Sequence, residues 1–89
     1  MDKKEILLRF GEYIMNGSMA DLIAFDALVA LCHLGSRLSS VQVGLLSRTG
    51  LVARNSDVSS DVKDVIRTCY CITNDGSSQY VGPMLREVQ

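Results

Sequence analysis

This sequence lacks any apolar run long enough to cross a bilayer. Its most apolar stretch, Leu22 to Leu34 (LIAFDALVALCHL), is thirteen residues long and contains Asp26 and His33, whereas a spanning helix needs about 20 apolar residues. The N-terminal stretch has two lysines, Lys3 and Lys4, but the apolar patch after them is broken by Arg9, Gly11 and Glu12, so it does not read as a signal peptide. A cytoplasmic protein with no membrane partner is therefore expected. With one proline and no repeat or biased tract, the chain does not read as disordered or fibrous. Its three cysteines, Cys32, Cys69 and Cys71, are an odd number, which argues for reduced thiols rather than a disulfide framework. Neither Cys32 with His33 nor Cys69 with Cys71 has the usual spacing of a zinc-binding pair, so no metal is expected. Read as strand residues, Cys69 and Cys71 share one face and serve packing.

Catalytic constellations are missing as well. The one histidine, His33, lies seven residues after Asp26, two helical turns or roughly 10 Å, so the two share a stripe without touching. The chain has no second histidine, no nucleophile beside a base, no paired carboxylates at a plausible site and no phosphate-cradling glycine loop. Neither an enzyme nor a cofactor is expected.

What is present suits a single folded domain. Hydrophobic residues make up 47% of the chain and charged residues 21%, and 89 residues bury about two-thirds of the surface that the unfolded chain exposes. The formal net charge of -1 hides an asymmetry. Met1 to Gly35 holds more acidic than basic residues, and Ser36 to Tyr70 the reverse (Arg37, Arg48, Arg54, Lys63 and Arg67 against Asp57, Asp61 and Asp64). The difference is small and compatible with ordinary solvated charge.

The periodicity predicts four helices. Ile6, Leu7, Phe10, Tyr13 and Ile14 recur at spacings of three and four, and Asn16-Gly17 is a natural stop. Ser18, three residues before Asp21, starts a second helix with a capping box; that helix runs to Gly35 and is apolar on nearly all sides, as a helix central to a core or a dimer interface is. Ser39 and Gln42 form another capping box before a short third helix, and Gly50 follows its last turn. The segment LVARNSDVSSD reads as a polar connection, with Ser56 or Asp57 capping a fourth helix whose Val58, Val62, Val65 and Ile66 share one face. The opposite face carries Ser60, Asp64 and Arg67, with Lys63 beside them. CYCIT then reads as a strand, NDGSS as a turn and QYVG as a second strand that Pro83 ends.

Helix, turn, amphipathic helix and polar-tipped hairpin resemble the winged helix-turn-helix regulators of bacteria and phages. The similarity covers roughly Leu22 to Gly82, with ALVALCHLGSRLSSVQVGLLSRTGL (Ala27 to Leu51) similar to the first two helices of that family. It implies a mainly α fold with a small β-hairpin: an N-terminal amphipathic helix over residues 1–17, then a winged helix-turn-helix domain over 18–89. It also implies a DNA-binding transcription regulator, with Ser56 to Thr68 as recognition helix and Asn74 to Ser78 as wing. Arg54, Ser59, Ser60, Lys63, Arg67, Asn74 and Ser77 are the implied contacts to double-stranded DNA, Lys63 or Arg67 to guanine and the serines to phosphate oxygens. A core built from Asp21 onward leaves Ile6, Phe10, Tyr13 and Ile14 as a spare apolar stripe, expected to form a homodimer. The alternative is a protein-interaction module with the same layout, an adaptor, inhibitor or anti-activator of another regulatory protein. The near-neutral charge, with Asp57, Asp61, Asp64 and Asp75 near the implied DNA face, favours that alternative.

Overall fold

A computed structural model describes residues 2–82; the expected strand stop at Pro83 and the rest of the 18–89 segment beyond Gly82 lie outside the described residues. Four helices precede a two-stranded antiparallel hairpin: α1 (Lys3–Asn16), α2 (Met19–Leu34), α3 (Ser40–Ser47), α4 (Ser60–Cys69), β1 (Tyr70–Ile72) and β2 (Ser78–Tyr80). Local chemistry fixes most helix ends. Asp2 caps α1 by accepting from the Glu5 N–H at 2.8 Å. Ser18 with Asp21, and Ser39 with Gln42, form reciprocal capping boxes at the starts of α2 and α3, which satisfy orphan N–H groups of the first turn. Gly35 ends α2 in the left-handed conformation, φ 71°, and its N–H reaches the Leu31 carbonyl at 2.9 Å, a geometry that glycine adopts without a Cβ clash. Gly17 is needed for a different reason. Its φ is -78°, but a Cβ there would sit 2.5 Å from the Tyr13 carbonyl oxygen, so α1 and α2 turn this tightly only around a residue with no side chain.

α2 is the hub of the fold, packing against α1, α3, α4 and both strands. Phe25 of α2 forms a ring of edge-on aromatic contacts with Phe10 and Tyr70, centroids 5.0 to 5.8 Å apart, and Tyr80 meets Tyr70 edge-on at 5.2 Å. Such pairs add about 0.5 to 1.5 kcal/mol each beyond the area they bury.

Four expectations are corrected. The α1 stripe is not spare: Ile6 and Phe10 are buried within the same core as α2 and α4, and Tyr13 and Ile14 pack against it half-buried. These residues are consumed by the chain's own core and are not free to meet a second copy. The connection after α3 is not merely polar, since Leu51 and Val52 enter the core at 2% exposure each. The fourth helix begins later than Ser56 or Asp57, with Ser59 as its cap. Residues 53–57 close a separate turn in which Ala53 N–H donates to the Asp57 carbonyl at 2.8 Å, and Ser56, at φ 73°, occupies the left-handed region rather than the extended conformation of a cap. Finally, Cys69 and Cys71 share no strand face, because Cys69 is the last residue of α4 and is buried while Cys71 is half-buried on β1.

Candidate functional site

α4 is strongly two-sided. Val62, Val65, Ile66 and Cys69 are buried, and Ser60, Asp61, Asp64, Arg67 and Thr68 are exposed. Of the seven residues implied as DNA contacts, Ser59 and Arg67 are engaged within the chain. Ser59 holds its hydroxyl on the Val62 N–H at 3.3 Å. Arg67 turns back along the helix, and its Nε–H donates to the Cys32 carbonyl oxygen at 3.1 Å. That carbonyl belongs to the last turn of α2, where backbone oxygens lack helical partners and carry the negative end of the dipole. Lys63, half-buried, sits near the same place: burial pushes the Cys32 thiol above its ordinary range, and the positive charges of Arg67 and Lys63 oppose that push. Arg67 therefore serves the C-terminal end of α2. Arg54 is exposed in the 53–57 turn and lines a shallow cleft with Ser59 and Asp57.

The hairpin tip is built around a carboxylate. The Thr73 N–H donates to the Ser77 carbonyl at 2.9 Å and the Gly76 N–H to the Thr73 carbonyl at 3.0 Å. Inside this turn Asp75 accepts from the Thr73 hydroxyl and, at 3.1 Å, from the Ser77 N–H. The Thr73 hydroxyl first, and then the Ser77 N–H, hold the Asp75 carboxyl below its ordinary range, so the tip is anionic at neutral pH. Asn74 is exposed and Ser77 half-buried, and no Lys or Arg occurs from Tyr70 to Gly82.

Both strands of the hairpin are tied to α2 by residues that were not expected to pair. Asp26 accepts from the Ser78 N–H at 2.8 Å and from its hydroxyl at 2.5 Å. His33 Nε2 lies 2.9 Å from the Tyr70 carbonyl oxygen; an oxygen of this kind only accepts, which places the ring proton on Nε2. The two residues considered as a catalytic pair thus serve two different points of the hairpin. Among the described residues, no group of three or more His, Cys, Asp or Glu side chains is placed to hold a metal ion, and no helix is long and apolar enough to cross a membrane.

The largest functional signal lies elsewhere. On the side of α2 turned away from the core, Met19, Ile23 and Leu34 are 72%, 54% and 71% exposed, and Ala27 and Ala30 between them are half-buried. The sequence hinted at this face through a helix apolar on nearly all sides; which side stays open depends on packing by distant elements. No protein-family model, curated protein or solved structure matches the chain.

Proposed function

We propose that this chain is a small non-catalytic protein-interaction module with a winged helix-turn-helix layout, acting as an adaptor or inhibitor of another protein. In this reading α2, α3 and α4 take the three helical positions of that layout, residues 73–77 take the wing, and the working surface is the outward side of α2. The observation that carries it is the row of exposed apolar side chains Met19, Ile23 and Leu34 on one side of α2, bordered by Asp26. A helix apolar all round is normally covered all round.

The α4 face supports the same reading. DNA affinity comes chiefly from cations set against phosphates. Here Arg67 is held at the end of α2, Asp61 and Asp64 stay exposed, and the tip adds Asp75. A transcription regulator that reads double-stranded DNA is the second reading, favoured by the order of elements and by exposed Arg54, Ser60 and Asn74.

A fluorescence-polarisation titration with random duplex DNA, at low and at physiological salt, separates the two. The interaction module gives no binding at either salt. Salt-dependent binding that tightens in Asp64→Asn would establish the DNA reading, since removing a negative charge from a face that meets phosphate strengthens the contact.

A further inference from the structure

Between the hairpin and the first two helices lies a cavity of about 330 Å³, at the small end of the roughly 300 to 1,000 Å³ of ligand pockets. Phe25, Tyr70 and Tyr80 line it, together with the aliphatic Ile14 and Leu22 and one carboxylate, Asp26. Successive rings stand at 66° and 72° to one another, with centroids 5.0 and 5.2 Å apart, so they make the corner of a box rather than a flat stack.

Asp26 sets the chemistry. Both hydrogen bonds that it accepts from Ser78 end on Oδ1, and its Oδ2 has no hydrogen-bond partner among the described residues. An ionised carboxylate offers about four lone-pair sites, so a further donor can be added without breaking the clamp. Neither α2, from Met19 to Leu34, nor the hairpin, from Tyr70 to Gly82, contains a Lys or Arg to supply it. On α1, which contributes Ile14, Arg9 is committed to Glu5 and to the Thr49 carbonyl, and Lys3 and Lys4 lie almost three turns before Ile14.

We infer that this cavity receives the guanidinium of an arginine side chain belonging to a partner protein, its plane against the aromatic rings and one N–H on Asp26 Oδ2. The inference rests on the interaction-module reading and names one residue of the partner. The position agrees with that reading. Ile23 lies three residues before Asp26, and Met19 three before Leu22, the spacing of neighbours on a helix surface. A partner seated on the exposed Met19 and Ile23 therefore reaches the mouth of the cavity.

The lining selects arginine among cations. Ring faces carry the negative part of the aromatic quadrupole and attract a cation within about 6 Å. The carboxylate needs an N–H donor, which a quaternary ammonium lacks. A guanidinium is flat and more weakly hydrated than the ammonium of lysine, so it gives up less water on entering an apolar box.

Chemical-shift titration of the isotope-labelled full chain with a capped glycine–arginine–glycine tripeptide, and with its neutral citrulline analogue, tests this. The arginine peptide should produce saturable shifts in the millimolar range at Asp26, Ser78 and Tyr80, and the citrulline peptide none. Asp26→Asn keeps a side-chain carbonyl for the Ser78 N–H but removes the charge, and should weaken arginine binding by at least about tenfold. Tyr80→Ala, which removes one wall and leaves the carboxylate, should weaken it as well, whereas Asp64→Asn on the exposed side of α4 should not. No saturable shift, citrulline binding equal to arginine binding, or indifference to either cavity substitution would overturn the inference and leave the module reading with a different contact. Salt-dependent binding of duplex DNA would instead remove the module reading itself.

Discussion

The Asp26 carboxylate, in the middle of α2, receives both the backbone N–H and the hydroxyl of Ser78, at 2.8 and 2.5 Å, at the first residue of β2. Fifty-two residues separate the two in sequence. This one side chain replaces the partner that a two-stranded sheet lacks on its outer edge, and it clamps the hairpin onto the hub helix alongside the Tyr70–Tyr80 contact.

Removing the clamp should free the hairpin before it unfolds the helices. Asp26→Ala is expected to cost about 1.5 to 3 kcal/mol, the range for hydrogen bonds to a charged group. Ser78→Ala, which leaves the N–H bond in place, should cost about half as much. Thermal melting gives the totals. Hydrogen exchange at Tyr70 to Ile72 should accelerate more than exchange in α2, and uniform acceleration would contradict the clamp.

Phe10→Ala should cost about 3 to 5 kcal/mol, as for a fully buried aromatic, because Phe10 contacts both Phe25 and Tyr70. Deleting residues 1–17 should leave a chain without cooperative melting. A truncated chain that melts cooperatively would restore α1 to the role of an appendage.

Features set by neighbours in sequence were legible, and features set by distant neighbours were not. The capping boxes at Ser18 and Ser39 and the buried face of α4 follow from residues within a turn of one another, and they were readable as motifs. The roles of Arg67 and Asp26 depend on carbonyls and hydroxyls 35 and 52 residues away, for which no local pattern exists. Leu51 and Val52 look like loop residues because a two-residue apolar pair has no period to detect. The α1 stripe was correctly read as apolar, but nothing in its spacing tells whether such a face meets its own chain or another.

Stability should fall at both extremes of pH through groups around Asp21. The Tyr13 hydroxyl donates to the Asp21 carboxylate at 3.1 Å. Burial, and then that carboxylate, push the Tyr13 phenol up from 10.0 to about 12. The folded state holds this proton more tightly than the unfolded state, so the contribution is complete below pH 10 and is lost as pH rises toward 12. The Ser18 N–H holds the Asp21 carboxyl below its ordinary range, with burial opposing it and the Tyr13 hydroxyl reinforcing it. Its contribution is present above about pH 4 and is lost as the carboxylate protonates on acidification. Tyr13→Phe should therefore remove the alkaline limb of a pH–stability profile measured by urea unfolding and leave most of the acid limb, which belongs to the Ser18 N–H. A variant with the native slope on the alkaline side would show that the contact carries no linkage.

The three thiols should react in a fixed order. Burial pushes both the Cys32 and the Cys69 thiols up, and both side chains are buried, whereas Cys71 is half-buried. Thiolate and access govern the rate, so alkylation under native conditions followed by mass mapping should label Cys71 first, with Cys32 and Cys69 labelled only on unfolding. Equal labelling of all three would contradict the burial of the α2–α4 contact.

The claim that this chain is a protein-interaction module rather than a reader of DNA is tested most directly by amide chemical-shift mapping of the isotope-labelled chain titrated with duplex DNA at low salt. The account predicts no shifts on adding DNA. DNA-induced, salt-dependent shifts at Ser60, Lys63, Asp64 and Asn74 would contradict it.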